Sequence, residues 1–315
     1  MSIRKAVITA AGRGSRLYPA ADTVQKAMLP FVDRDGLTKP LIQIIIEEAL
    51  SAGVEEVCIV AAPGDEARYR SAFDSWKKHM LPALQGSSWA NHEMEKIDDL
   101  LQRLHFRVQE DPRGYGDAVW TARDFVGDEP VLLLLGDHLY VSDDPEKSCA
   151  QQLVDLALQE KQTVSAVNAT PEHLVSKYGT LTGKALPQQP GRYQVERIQE
   201  KPALSMAEIS LKTPGLRMGY YLCIFGMHVL QPEFMAVLGE MLEAPGPGAS
   251  PISLTPAFQA LADRRRYFAQ EMNGKRYDLS AAYGLMRAQM ALGLSGEDRD
   301  LVLSTLLETL AETRI

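Results

Sequence analysis

The sequence predicts an α/β fold: a central, mostly parallel sheet covered by helices on both faces. Three observations carry that expectation. The apolar runs at 6–10, 56–61 and 131–135 are as short as strands and apolar on every side, as strands buried on both faces are. Helical patterns alternate with them along the first half of the chain. With 315 residues, 45% apolar and 23% charged, the chain can bury ~75% of its unfolded surface, in one large domain or two.

Taken in order, the first strand, Ala6-Val7-Ile8-Thr9-Ala10, breaks into Gly12-Arg13-Gly14-Ser15-Arg16. Residues 17–39, with Pro19 and Pro30, read as a long loop at its end. Pro40 opens a helix marked by Leu41, Ile44, Ile45 and Ala49, and Gly53 stops it before a second strand at 56–61. Further strands are expected at 105–109, 131–135 and 163–168, and helices at 65–74, 93–104, 115–126 and 147–160. Such a sheet receives its ligands outside the carboxyl ends of its strands. Beyond 170 the pattern shifts to shorter alternating pieces at 178–181, 193–199 and 218–225, a smaller mixed β layer extending the first. Pro245-Gly246-Pro247-Gly248 reads as a surface loop. Residues 253–262, 280–291 and 297–312 read as helices, the last an arm packing on the body or on another subunit. There is no internal repeat.

Composition excludes several classes. The 33 Lys and Arg against 41 Asp and Glu give a net charge of −8, the wrong sign for gripping a nucleic-acid backbone, so any phosphate belongs to a small ligand in a local pocket. Cys58, Cys149 and Cys223 are odd in number and scattered, which suggests neither a disulfide framework nor a zinc cluster and fits a reducing cytoplasm. The apolar run after Arg4-Lys5 is too short for a signal peptide, and none reaches the ~18 residues of a membrane span.

Four places carry chemistry. In the loop after strand one, small residues at Ala11, Gly12 and Gly14 let backbone N–H groups approach a phosphate chain. It lacks the third glycine of a dinucleotide fingerprint, since Leu17 follows, and the Gly-Lys-Ser/Thr ending of a P-loop. What distinguishes it is a pair of cations on the same loop, Arg16 and the Lys26 of Gln25-Lys26-Ala27-Met28-Leu29-Pro30; a tight turn with solvated charges is the plainer alternative. Next, Gly136-Asp137-His138 follows a buried strand, so the Asp137 carboxylate emerges at the ligand edge, where it suits a hard cation such as Mg²⁺; His138 is a ligand, a hydrogen-bonding support or a packed side chain. Third, Gln199-Glu200-Lys201-Pro202 closes a strand beside Tyr178-Gly179, an acid and a base that can also be a mere edge pair. Fourth, Asn273-Gly274-Lys275-Arg276-Tyr277-Asp278 reads as a turn with two cations and a carboxylate before a helix that Asp278 could cap.

In this order, and together with Pro40-Leu41-Ile42-Gln43, Gly53-Val54-Glu55-Glu56, 126–130 and Leu254-Thr255, these pieces resemble the sugar-phosphate nucleotidyltransferases, most closely the bacterial UTP–glucose-1-phosphate uridylyltransferases, along nearly the whole chain. The resemblance implies a single Rossmann-like α/β domain: a nucleotide-binding half at 1–170, a sugar-binding half at 171–295 and a C-terminal helix at 296–315. It also implies a homo-oligomer, dimer or tetramer. By the same resemblance, Ala11, Gly12, Gly14, Arg16 and Lys26 hold the nucleoside triphosphate, and Gln109 and Gly114 meet its base. Tyr178, Gly179 and Glu200 hold the sugar, Lys201 its phosphate, and Asp137 and Asp278 the Mg²⁺. Four positions depart from the pattern: Ala27 for Glu, Tyr221 for Asn, Pro256 for Asp, and Ser280 for the Gly of Asp-x-Gly. They are expected to touch the base and sugar pockets, which keeps ATP, dTTP or CTP and other hexoses open beside UTP and glucose 1-phosphate. The implied reaction is attack of a sugar 1-phosphate oxygen on the α-phosphorus, releasing pyrophosphate. The rivals are a nucleotide-sugar sensor without turnover and, against the missing glycine, a nicotinamide-dependent dehydrogenase.

Overall fold

The computed structural model describes residues 2–12, 14, 17–19, 23–83, 88–243 and 251–313. Arg16 and the 245–248 loop lie outside the described residues. Strand β1 (Lys5–Thr9) runs between two parallel neighbours, β4 (Glu56–Ala61) and β6 (Val131–Leu135), with Lys5 opposite both Glu56 and Val131. The fully apolar character of these strands has a direct cause: Ala6, Ile8, Leu132 and Leu134 face one core, while Val7, Val131 and Leu133 face another. Helices α1 (Leu41–Ser51), α2 (Asp65–Ala83) and α6 (Cys149–Glu160) cover the first core. The second is covered by α4 (Tyr115–Thr121), α8 (Pro232–Glu243) and α9 (Thr255–Asp263).

The later strands join the same sheet. Its order is β5 (Leu104–Val108), β4, β1, β6, β11 (Tyr220–Leu230), β8 (Thr163–Pro171), β12 (Tyr267–Glu271), β10 (Arg192–Gln199) and β9 (Thr180–Ala185). Strand β11 is antiparallel to β6 and β8, and its register shifts between Ile224 and His228, around Gly226 at φ +87°. The bulge lets the first half of β11 pair with β9 while the second half pairs with β6, so the far edge of the sheet curls back on itself.

Several elements differ from the sequence expectation. The loop at 17–39 contains a two-stranded ribbon, β2 (Pro30–Val32) with β3 (Thr38–Pro40), and a 3-10 turn at Lys26–Met28. Helix 115–126 breaks at Ala122 into α4 and α5 (Arg123–Val126), and α3 (Ser88–Arg103) starts earlier than expected. Helices α7 (Leu204–Ser210) and α8 and strand β12 were not anticipated. The largest correction concerns Asn273–Asp278. Rather than a turn, it holds a strand, β13 (Gly274–Asp278), paired antiparallel with β7 (His138–Ser142), with Asp278 opposite His138. The next helix, α10, spans Gly284–Ser295 with Tyr283 at its N-cap, so Asp278 does not cap it. The last helix, α11 (Arg299–Glu312), has no buried residue and rests on α10, where Val302 lies against Gly293.

Gly136 is where β6 leaves the sheet toward the ribbon. A Cβ there would lie 2.8 Å from the Thr9 carbonyl oxygen and 2.9 Å from Ala10 Cβ, backbone and side chain of a fully packed strand end. Gly136→Ala is therefore expected to cost about 1–3 kcal/mol of stability, visible as a lowered denaturation midpoint. An unchanged midpoint would show that the strand ends separate freely.

Candidate active site

The ends of β1 and β6, the β7–β13 ribbon and the edge formed by β9, β10 and β11 enclose a cavity of about 670 Å³. It collects residues from across the chain. Ala11, Gly12 and Lys26 line it from the loop after β1; Gln109 and Gly114 from the segment before α4; Asp137 and Asp278 from the ribbon; Tyr178, Gly179, Glu200 and Lys201 from the ends of β9 and β10. Gly14 does not line it; its carbonyl accepts the Leu17 N–H at 2.7 Å.

The ribbon's register brings the two aspartates together. One ligand atom each from Asp137, His138 and Asp278 lies within 4.8 Å of the others. Asp137 is held by three donors: Lys26 Nζ at 2.7 Å and Ser280 Oγ at 3.0 Å on Oδ2, and His138 Nδ1 at 2.9 Å on Oδ1. Burial works against the Asp137 charge, but the His138 hydrogen bond and charge and the Lys26 ammonium outweigh it, holding the carboxyl well below the usual carboxylate range. Two carboxylates and an imidazole are a fitting donor set for a divalent cation, and the oxygens favour a hard one.

On the glycine loop, a Cβ on Gly12 would sit 3.3 Å from Lys26 Nζ, so that ammonium lies close along the backbone. Gln109 is fixed by Asp117, which accepts its Nε2 at 2.7 Å and is itself bound by Arg113 through Nε at 3.0 Å and through Nη2. Gly114, at φ +127°, packs against the Ile252 backbone so closely that a Cβ would be 2.5 Å from its carbonyl oxygen. On the opposite edge, Gln199 pairs with Thr180, which puts Glu200 beside Gly179, and Thr255 Oγ1 donates to Glu200 Oε2 at 3.4 Å. Lys201 has its backbone at φ +42° and its Nζ 3.7 Å from Glu200 Oε1.

Among the other lining residues, Tyr115, Lys177 and His228 carry no sequence expectation, and Arg276 stands in a quoted motif without an assigned role. Arg276 stacks on the Tyr178 ring, 3.8 Å from its centroid, and donates to the Ile224 carbonyl; burial pushes its guanidinium pKa down. His228 is buried, its Nδ1 2.5 Å from Ser165 Oγ, and burial lowers its pKa to about 3. A signal for Arg276 was present. Read as a strand, 274–278 places Arg276 and Asp278 on one face. The four departures behave differently from expectation, because none lines the cavity. Ala27 is in the core, Tyr221 packs with Val175, Ala207 and Leu211, and the buried Ser280 donates to Asp137. Pro256 lies in the first turn of α9, where a proline costs the helix no hydrogen bond.

Residues 5–275 match the family model described as nucleotidyl transferase. The chain belongs to the nucleotidyl transferase family. The UTP–glucose-1-phosphate uridylyltransferase of Streptococcus pneumoniae is 36% identical over 297 residues, 93% of this chain and 91% of that protein. The Bacillus subtilis protein of the same name is 34% identical over 298 residues, covering 94% and 93%. A UDP-glucose pyrophosphorylase solved in complex with UDP-glucose superposes with a TM-score of 0.73 at 28% identity, over 92% of this chain and 98% of that one. The family assignment rests on nearly full-length similarity, so it covers both edges of the cavity. No described helix is long and apolar enough to cross a membrane.

Proposed function

We propose that this chain transfers the uridylyl group of UTP to glucose 1-phosphate, forming UDP-glucose and pyrophosphate, with Mg²⁺ as the divalent ion and in the cytoplasm. The observation that carries the proposal is the convergence of Asp137, His138, Asp278 and Lys26 in one cavity that also receives Lys201. The names of the full-length relatives supply the substrates.

The chemistry requires no protein nucleophile or general base. A phosphate monoester has its second pKa near ~6 and is already largely dianionic at neutral pH. The task is to bring that dianion to the α-phosphorus of a triphosphate in line and to hold the charge that builds up, so positioning and electrostatics carry the catalysis. Asp137 and Asp278 would hold the Mg²⁺, with His138 orienting Asp137, and the bound ion would supply a Lewis acid at the phosphates. Lys26, with Arg16, screens the leaving pyrophosphate, the backbone at Ala11 and Gly12 donates N–H groups to the triphosphate, and Lys201 screens the attacking sugar phosphate. Tyr178, braced by Arg276, and Gly179 and Glu200 form the sugar side. An acidic chain can thus take two polyanions because its cations gather at one sheet edge.

Gln109 supports the choice of base. The Asp117 carboxylate can only accept, so the Gln109 amide nitrogen turns toward it and the amide oxygen is left as an acceptor. Uracil offers an N3–H to such an acceptor, whereas cytosine N3 is itself an acceptor. A turnover screen of the four triphosphates against a panel of sugar 1-phosphates, read by pyrophosphate release, is expected to give UTP with glucose 1-phosphate as the best pair and CTP as a poor donor. A different best pair would overturn the substrate assignment. Lys201→Ala is expected to raise the KM for glucose 1-phosphate by about tenfold or more, the cost of losing a charge-assisted hydrogen bond, with a smaller change for UTP. Steady-state kinetics with each substrate varied in turn checks this, and an unchanged KM would remove Lys201 from the phosphate site.

A further inference from the structure

We propose that Ser280 is a positioning residue for the divalent-ion site, its hydroxyl and its backbone amide tying the carboxylates of Asp137 and Asp278 into one ligand pair. The inference rests on the proposed role of those aspartates and assigns a function to a residue outside the Asp-x-Gly pattern. Ser280 is 4% exposed. Its Oγ donates to Asp137 Oδ2 at 3.0 Å, and its N–H donates to Asp278 Oδ1 at 2.9 Å. Leu279 N–H donates to the Asp137 backbone carbonyl at 3.0 Å, so the segment after β13 clasps Asp137 by main chain and side chain together.

Two carboxylates whose oxygens approach this closely repel, and something must hold them in place before a cation arrives. Lys26 helps, since it shares Asp137 Oδ2 with Ser280. Yet Lys26 is also the cation that a triphosphate draws toward itself, whereas the serine hydroxyl is short, neutral and buried. Ser280 therefore keeps the Asp137 carboxylate oriented when Lys26 turns to phosphate. A glycine at this position would keep the amide bond to Asp278 and lose the hydroxyl bond to Asp137. Outer partners of ligating carboxylates act in this way, by fixing the oxygen that meets the ion.

The test is Mn²⁺ titration of the full chain without nucleotide, followed by electron paramagnetic resonance of the free ion. Ser280→Ala and Ser280→Gly, which add no atoms, are expected to bind Mn²⁺ about tenfold more weakly than the parent at an unchanged thermal midpoint. Ser280→Thr, which keeps the hydroxyl, is expected to restore binding to within about twofold of the parent. In turnover, the Mg²⁺ concentration for half-maximal rate should rise in Ser280→Ala while the KM for glucose 1-phosphate holds. A parent that binds Mn²⁺ and a Ser280→Ala that binds it equally well would overturn the role of Ser280 and leave the aspartates' role standing. Equal losses in the Ala and Thr variants would assign the effect to packing and overturn it too. A parent that binds no Mn²⁺ would overturn the metal site itself and this inference with it.

Discussion

Asp137→Asn is expected to lower kcat by about a hundredfold or more while the chain stays folded, the scale of loss seen when a preorganised electrostatic group is removed from an active site. The substitution is nearly isosteric but removes the one charge on which Lys26, His138 and Ser280 converge. It also places an N–H₂ group where one of those donors now points, so the fixed geometry of the ribbon is spent on repulsion between donors. Asp278 alone would offer the cation a single carboxylate. The check is kcat at saturating UTP and glucose 1-phosphate across a range of Mg²⁺ concentrations, with circular dichroism to confirm folding. Ordinary turnover by a folded Asp137→Asn protein would exclude Asp137 from the chemistry.

Lys26→Met is expected to lower kcat/KM for UTP by about a hundredfold and to leave the KM for glucose 1-phosphate within about twofold. The ammonium sits between the carboxylate of Asp137 and the backbone of Gly12, where, under the proposed roles, it can follow charge from the metal site to the triphosphate. Its side chain is 11% exposed and that of Asp137 15%, so their interaction is little weakened by water. Lys26→Arg is expected to rescue only partly, because a planar guanidinium does not reproduce a compact ammonium in a space bounded by the Gly12 backbone. Equal losses for both substrates would place Lys26 in general charge balance rather than at the triphosphate.

The parallel half of the fold was legible in the sequence because strands buried on both faces leave uninterrupted apolar runs, and Val131–Leu135 reads that way. Alternation also marked β10, expected at 193–199 and found at Arg192–Gln199, but the short ribbon strands left no such pattern. Gly274–Asp278 carries two cations and a carboxylate in five residues, so its pairing with His138–Ser142, a tertiary fact, overrode a local pattern that suggested a turn. Yet that pairing is what brings Asp137 and Asp278 together. The site residues were named from motif order, whereas Tyr115, Lys177 and His228, and the role of Arg276, were missed because only the folded sheet shows that they share a cavity. The departures at Ala27 and Tyr221 illustrate the converse. Each stands at a motif position, yet burial in the core removes both from the pocket.

The most direct test follows the configuration at phosphorus. UTP bearing a single sulfur at a chiral α-phosphorus, reacted with glucose 1-phosphate, should yield the thio analogue of UDP-glucose with inverted configuration and one equivalent of pyrophosphate, because the sugar phosphate attacks in line with no intermediate bound to the protein. Retention of configuration, which requires a second displacement through a nucleotidylated side chain, would contradict this account.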